Sequence, residues 1–137
     1  MTTQPGKLRI FLDANILFSA AYGSPALKRI WDDAAQGRYE LLASHYVVEE
    51  ARRNLSTAHQ GIALKNCLLH VKIVPEADPS IACPIPLPEK DRPVLMAAIM
   101  ARADFLVTGD VLHFGPFFGK KIQNVMICRL RDLKIIE

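Results

Sequence analysis

Short apolar runs alternate with longer stretches whose apolar residues recur at helical spacing along most of the chain. Ser24, followed by a proline, and Ser44 each precede such a stretch and predict helix starts. Gly37 predicts a helix end. The predicted strands are residues 8–12, 39–43, 71–74, 105–108 and 125–128, and the predicted helices are residues 16–21, 25–36, 45–55, 57–70 and 90–103.

Strands separated by helices favour an α/β fold with a central parallel sheet of about five strands and helices on both faces. A chain of 137 residues has the size of one domain, so we expect residues 1–137 to form a single domain. Residues 75–88 hold five of the nine prolines and predict an irregular loop, either functional or mobile. In such folds, ligands bind beyond the carboxyl ends of the strands.

Composition excludes several classes of protein. With 50% apolar and 23% charged residues, the chain is unlike disordered or collagen-like sequences, and three cysteines without a C-x-x-C pair suggest neither a disulfide framework nor a zinc site. Asp13 and Asn15 interrupt the apolar stretch near the N-terminus, which argues against a secretory signal. We therefore expect a cytoplasmic protein with no membrane partner. A mean hydropathy of +0.14 leads us to expect a homodimer.

Four acidic residues are expected at the carboxyl edge of the predicted sheet. Asp13 directly follows the first strand, and Asp110 follows the fourth. Glu50 lies on the helix that leaves the second strand, and Asp91 opens the helix that runs into the fourth. Each acid alone is as easily explained as a helix cap or a surface residue, but four acids from four segments at one edge predict a single cleft.

Carboxylates gathered in one cleft repel each other, and a divalent cation relieves that repulsion. Oxygen ligands suit Mg²⁺ or Mn²⁺, so we expect one or two such ions. Two ions can stabilise the attacking and leaving oxygens of a phosphodiester. Since no histidine falls next to these acids at ligand spacing, zinc is not expected.

Four sequence motifs, in this order, resemble those of the PIN-domain ribonucleases. They are LDANILFSA at residues 12–20, SHYVVEEAR at residues 44–52, KDRPVLMAA at residues 90–98 and ADFLVTGD at residues 103–110, followed by HFG at residues 113–115. The resemblance covers nearly the whole chain and is greatest to the toxin components of prokaryotic toxin–antitoxin pairs.

The resemblance implies a metal-dependent endoribonuclease that cuts single-stranded RNA and leaves a 5′-phosphate and a 3′-hydroxyl. It further implies a cognate antitoxin as a partner. The residues carried over as catalytic, metal-binding acids are Asp13, Glu50, Asp91 and Asp110. Asn15 and Thr108 carry over as hydrogen-bonding supports, and Asp104 is a further support that shares the role of Asp110.

The charge balance agrees with an RNA substrate. With four of the 14 acidic residues assigned to the site, the other ten are outnumbered by 17 basic residues, a net charge of +7. Glu49 is placed to pair with Arg53 on the exposed helix face, which leaves Glu50 for the cleft. The basic residues that flank the motifs and are candidates for holding RNA phosphates are Arg52, Arg53, Lys90, Arg92, Lys120 and Lys121.

The sequence fits three other functions less well. A phosphatase acting through an aspartyl-phosphate needs a second acid two residues after Asp13, where this chain has Asn15. A signalling receiver domain needs an acidic pair after the first strand and a lysine after the last, and neither pattern is found. The third alternative is a non-catalytic PIN-like module that binds RNA or protein, against which the four intact acids argue.

Overall fold

The structure, a computed structural model, describes residues 7–135, in which six strands form one sheet. The strands are β1 (Leu8–Leu12), β2 (Tyr39–Ser44), β3 (Val71–Val74), β4 (Phe105–Val107), β5 (Lys121–Ile122) and β6 (Val125–Cys128). Their order is β3-β2-β1-β4-β6-β5, and all neighbours are parallel except β5 and β6. The expected α/β fold with a mostly parallel sheet is confirmed.

Helices connect the strands on the pattern that the sequence predicts, and a further short helix after β4 was not predicted. They are α1 (Ala14–Ala21), α2 (Pro25–Ala35), α3 (His45–Arg53), α4 (Ala58–Leu68), α5 (Arg92–Met100) and α6 (Val111–Phe114), with 3₁₀ turns at Glu89–Asp91, Gly115–Phe117 and Leu130–Ile135. Residues 75–88 form an irregular connection between β3 and the first of these turns. None of the helices within residues 7–135 is long and apolar enough to cross a membrane.

The central strand β1 is covered on both sides. Ile10, Phe11 and Leu12 are successive residues, so they point to alternate faces of the sheet, and each is at most 1% exposed. Burial of both faces is typical of a parallel sheet sandwiched between helices. Helix α2 packs on β2, and α5 packs on β2 and β4.

Element boundaries differ from the predictions for local reasons. The helix predicted over residues 90–103 begins only at Arg92, after a 3₁₀ turn. It ends at Met100, because Arg102 adopts a left-handed conformation with φ of 56°. Strand β5 was not predicted, since two residues carry no detectable periodicity. It forms a hairpin with β6 through Gln123 and Asn124, both with positive φ, as a tight two-residue turn requires.

The chain reverses its direction across the sheet at β1. From β1 it moves to β2 and β3 on one side, and it later returns to add β4 and β6 on the other. The carboxyl ends of β1 and β4 are therefore the topological switch point, where parallel α/β sheets bind their ligands. The main-chain nitrogen of Asp13 donates to the carbonyl of Val107 across this point, at 3.1 Å.

Candidate active site

Asp13 is fixed at the end of β1 by hydrogen bonds to both carboxylate oxygens. Its Oδ1 accepts from the main-chain nitrogen of Ala14 at 2.7 Å, and this bond caps α1. Its Oδ2 accepts from the hydroxyl of Thr108 at 2.7 Å. Both residues are buried, so the side chain of Asp13 has one position relative to the end of β4.

Asn15 and Thr108 join the ends of β1 and β4. The side-chain oxygen of Asn15 accepts from the main-chain nitrogen of Gly109 at 2.8 Å. A β-carbon at Gly109 would lie 3.3 Å from that oxygen, so only glycine fits there without displacing Asn15. The hydroxyl oxygen of Thr108 also accepts from the main-chain nitrogen of Asp110, at 3.1 Å. These bonds hold the segment that carries Asp110.

Asp91, Asp110 and His113 form what we call the acid–histidine cluster. Asp110 caps the short helix α6 through Oδ1, which accepts from the main-chain nitrogen of His113 at 3.0 Å. Its Oδ2 lies 2.9 Å from Nδ1 of His113 and is hydrogen-bonded to it. Oδ2 of Asp91 lies 2.9 Å from the same nitrogen. One ligand atom from each residue falls within 4.8 Å of the other two.

One oxygen of the cluster lacks a hydrogen bond. Oδ2 of Asp91 is buried and makes no hydrogen bond with any residue in the range 7–135, although it is close to His113. Burial raises the pKa of Asp91, and the charge of Asp110 raises it further, while His113 and Lys90 lower it. The carboxylate of Asp91 is thus held in a place that disfavours its own charge.

Glu50 faces the same cleft from α3. Burial raises the pKa of Asp13 to about 6, and the negative charges of Glu50 and Asp91 add to the rise, while the hydrogen bonds from Thr108 and Ala14 oppose it. Glu50 therefore lies close enough to Asp13 for their charges to interact. Electrostatic repulsion links Glu50 to Asp13, Asp13 to Asp91, and Asp91 to Asp110. The structure thus brings the four sequence-predicted acids to one cleft.

Tyr46 connects three segments around this cleft. Its hydroxyl donates to the carbonyl of Lys90 at 2.6 Å, directly before Asp91, and its main-chain nitrogen donates to Oε2 of Glu76 at 3.0 Å. Burial raises the pKa of Tyr46, and the charges of Glu50 and Asp91 raise it further. The hydroxyl therefore stays protonated and remains a donor to the turn that carries Asp91.

The residues of the cleft fit a divalent cation. A cation would supply the partner that Oδ2 of Asp91 lacks and would offset the burial and the repulsion that together raise the pKa of Asp13. Carboxylate oxygens are the ligands that hard dications prefer. The donor set, with most of its acids buried or half-buried, matches the cation expected from the sequence.

Asp104 does not lie in this cleft, which corrects the prediction that it supports Asp110. It precedes β4, at the amino edge of the sheet, where its Oδ2 accepts from the main-chain nitrogen of Arg9 at 2.8 Å. Four residues of extended chain, about 13 Å, separate it from Thr108. Because β4 lies between Asp104 and Thr108, the two ends of the ADFLVTGD motif are at opposite edges of the sheet.

Two of the predicted basic residues lie close to the acids. The charge of Lys90 lowers the pKa of Asp91, and the charge of Arg53 lowers the pKa of Tyr46. Arg92 donates through Nε to the carbonyl of Leu87, at the end of the proline-rich loop. Lys120 and Lys121 lie at the start of β5 on the side edge of the sheet, away from the switch point.

The prediction that Glu49 forms an ion pair with Arg53 is wrong. Glu49 forms its ion pair with Arg52, three residues on, and Arg53 donates to the main-chain carbonyl of Glu49 instead. Residues three and four apart on a helix are both neighbours, so spacing alone does not choose between them. Glu49 is exposed and Glu50 is half-buried, as the helix phase predicts.

His113 is the site residue that sequence reasoning missed. The expectation that no histidine lies beside the acids is wrong, because His113 contacts both Asp91 and Asp110. The available signal was its position three residues after Asp110, which caps the helix that carries His113. Tyr46 was missed as well, and its signal was its place one helical turn before Glu50.

An α/β fold with an acidic cluster at its switch point has the arrangement of a ligand-binding domain. The family model described as "PIN domain" matches residues 9–112, and the chain belongs to the PIN domain family. PIN domains are generally metal-dependent nucleases. A search among curated proteins finds no match.

A solved structure with a TM-score above 0.5 agrees on the fold. The chain is similar to one in the crystal structure of VapBC2 from Rickettsia felis bound to a DNA fragment from their promoter, with a TM-score of 0.65 and 16% identity, covering 89% of this chain and 98% of that one. It is also similar to the PIN domain endonuclease Utp24, with a TM-score of 0.43 and 12% identity, covering 74% of this chain and 71% of that one.

Proposed function

We propose that this chain is a metal-dependent endoribonuclease that hydrolyses the phosphodiester bonds of single-stranded RNA. The observation that carries the proposal is the convergence of the four acids at the switch point of a PIN domain, with a buried oxygen of Asp91 that has no hydrogen bond among residues 7–135. Acids that raise one another's pKa destabilise the metal-free protein, so their presence together favours a role in function.

Asp13, Glu50, Asp91 and Asp110 would hold one or two Mg²⁺ or Mn²⁺ ions. When bound, such ions lower the pKa of water and offset the negative charge that develops on phosphoryl oxygens. The chain's own contribution is the placement of the acids. Thr108 and the main-chain nitrogen of Ala14 fix Asp13, while Asn15 fixes the turn at Gly109 that leads to Asp110.

Positive charges beside the cleft suit a polyanionic substrate. Lys90 and Arg53 are close enough to alter the pKa values of groups in the site, so they are the first candidates for contacts with RNA phosphates. Arg52 is exposed beside them but shares its charge with Glu49. Lys120 and Lys121 lie farther away and would contact only a longer RNA that extends past the cleft.

We further propose that the chain is the toxin of a toxin–antitoxin pair and acts in the cytoplasm. Its structural likeness to VapBC2, a toxin–antitoxin complex, supports an antitoxin protein as the partner. The exposed apolar side chains of Val111 and Leu112 follow Asp110 at the rim of the cleft and agree with a protein contact there. We also propose a homodimer, which light scattering of the purified chain would test.

Cleavage of a single-stranded RNA labelled with a fluorophore and a quencher tests the proposed activity. We expect the wild-type chain to cut it with Mg²⁺ or Mn²⁺ and to stop when EDTA is added, leaving a 5′-phosphate and a 3′-hydroxyl. Asp91→Asn should be inactive, whereas Asp32→Asn, an exposed acid on α2, should retain full activity. A wild-type chain that binds the RNA without cutting it would establish the non-catalytic alternative.

Expression in a bacterial host tests the toxin role separately. We expect the wild-type chain to arrest growth and Asp91→Asn to leave growth unaffected. Coexpression of the product of the neighbouring gene should restore growth. An active ribonuclease that never slows growth would contradict the toxin role and leave the enzymatic proposal standing.

A further inference from the structure

His113 lies between two carboxylates that it cannot satisfy with a hydrogen bond to each. Its Nδ1 is 2.9 Å from Oδ2 of Asp91 and 2.9 Å from Oδ2 of Asp110. A ring nitrogen carries at most one proton and so directs one strong hydrogen bond. That bond goes to Asp110, which leaves Oδ2 of Asp91 buried and without a hydrogen bond among the described residues.

If the imidazole of His113 carries its proton on Nε2 instead, the cluster needs a cation even more to offset its negative charge. With the proton on Nε2, the lone pair of Nδ1 would face the two carboxylate oxygens, and three electron-rich atoms would meet at one point. Such an arrangement is stable only around a positive charge. One nitrogen and two carboxylate oxygens, each from a separate residue, therefore lie where they could bind the same cation.

The two distances from Nδ1 of His113 in the acid–histidine cluster match the edge of an octahedron around a cation. Ligands roughly 2.1 Å from an octahedral centre lie roughly 3.0 Å from their neighbours, whereas tetrahedral coordination at that length separates them by roughly 3.4 Å. The two distances from Nδ1, both 2.9 Å, are close to the octahedral edge. The imidazole is therefore at octahedral ligand spacing from each of the two carboxylates.

We propose that His113 is a nitrogen ligand of the cation site and makes it select an octahedral first-row transition dication, Mn²⁺, over Mg²⁺. The inference rests on the proposed metal-dependent function and deepens it by naming the class of ion. Imidazole is a ligand for transition metals, while Mg²⁺ prefers oxygen and retains its waters. Two carboxylates with one imidazole suit an ion that accepts both kinds of ligand.

Mn²⁺ bound to the metal-free, full-length protein gives a direct test. We expect pulsed electron paramagnetic resonance to show the coupling of a directly bound nitrogen, and competition with Mg²⁺ to show a preference for Mn²⁺. His113→Asn keeps a side-chain donor near the position of Nδ1 but removes the nitrogen lone pair. In that variant the nitrogen coupling should disappear, and Mn²⁺ affinity should fall about tenfold or more while Mg²⁺ affinity changes less than about threefold.

His70→Ala is the matched control, because His70 is exposed and directly precedes β3 at the amino edge of the sheet. It should retain the coupling and both affinities. Bound Mn²⁺ without nitrogen coupling, or an equal loss of Mn²⁺ and Mg²⁺ affinity in His113→Asn, would overturn the inference and leave the proposed ribonuclease intact. A wild-type chain that binds neither ion would refute the metal dependence itself. Circular dichroism melting confirms that each variant is folded.

Discussion

Asp104 and Glu40, at the amino edge of the sheet, both bond to Arg9, whereas Asp91 and Asp110, at the carboxyl edge, converge on each other. Arg9 donates its main-chain nitrogen to Asp104 at 2.8 Å and pairs its guanidinium with Glu40. It also donates to the carbonyl of Ala101 at 2.8 Å, after α5. At the carboxyl edge, by contrast, the pKa values of Asp13 and Asp91 are raised.

The difference separates the acids that support the fold from the acids that we propose hold the metal. Acids that bond to a donor or a cation with no second carboxylate nearby stabilise the fold through their charge. Acids that repel each other destabilise it until a ligand arrives, even where main-chain donors bond to them, as they do to Asp13 and Asp110. A single oxygen without a hydrogen bond does not make this distinction. Asp33 has one too, but its other oxygen lies 3.8 Å from the guanidinium of Arg38, whereas Asp91 faces a second carboxylate.

The largest expected contrast is between Asp13→Asn and Asp104→Asn. An amide is a weak metal ligand of nearly the same shape as the carboxylate, so Asp13→Asn should lower RNA cleavage by on the order of 10³-fold while the protein stays folded. Asp104→Asn keeps an oxygen to accept from Arg9 and should change cleavage less than about twofold. Rates at saturating Mg²⁺ measure both. An inactive Asp104→Asn that remains folded would break the distinction between the two edges.

The same contrast operates between neighbours on α3. Glu50→Gln should lower cleavage about a hundredfold, because Glu50 faces Asp13. Glu49→Gln removes an exposed ion pair with Arg52 that contributes only a few tenths of a kcal/mol, so it should keep its activity and melt within about two degrees of wild type. Both are compared at saturating Mg²⁺. If Glu49→Gln is the inactive variant, the assigned glutamate is off by one residue.

Metal binding should stabilise the protein through the carboxyl edge. An ion that binds only the folded state adds about 2.7 kcal/mol at a hundredfold excess over Kd, which raises the melting temperature by roughly 5–10 °C. Melting curves with Mn²⁺ or Mg²⁺ and with EDTA measure this shift. It should vanish in the double variant Asp13→Asn/Asp91→Asn, and an equal shift there would place the ion elsewhere.

The metal-free protein should become less stable as the pH rises. The pKa of Asp13 is raised to about 6 in the folded state, so its contribution to stability is fully present below the ordinary value of 3.8 and is lost as the pH rises through 6. Urea unfolding in EDTA should show a loss of about 2 kcal/mol between pH 4.5 and pH 7.5 from this residue. Asp13→Asn should lack that part of the loss, and parallel pH profiles for the two proteins would contradict it.

Sequence reasoning found the four acids because each follows a strand or opens a helix, and the direction of a parallel sheet then fixes its edge. It failed where the position of a side chain depends on the length of a strand or on contacts with another segment of the chain. Asp104 was assigned to the wrong edge because a motif says nothing about how far a strand runs between its ends. His113 contacts Asp91 and Tyr46 donates to the carbonyl directly before it, and spacing along the chain does not reveal these contacts between segments. Spacing reveals only that each of the two lies about one helical turn from one of the four acids. That residues 1–137 form one domain stays a prediction.

The smallest expected effect concerns Tyr46, whose hydroxyl donates to the main-chain carbonyl directly before Asp91. Tyr46→Phe removes one hydrogen bond to the carbonyl of Lys90, a net change of about 1 kcal/mol in holding the turn that carries Asp91. The concentration of Mn²⁺ for half-maximal cleavage should therefore rise about fivefold, while the rate at saturating Mn²⁺ stays near wild type. Tyr22→Phe, at an exposed tyrosine that ends α1, is the control and should change neither quantity. An unchanged half-saturating concentration would show that the 3₁₀ turn at Glu89–Asp91 holds Asp91 without help from α3, and the carboxyl edge would then depend on its own hydrogen bonds alone.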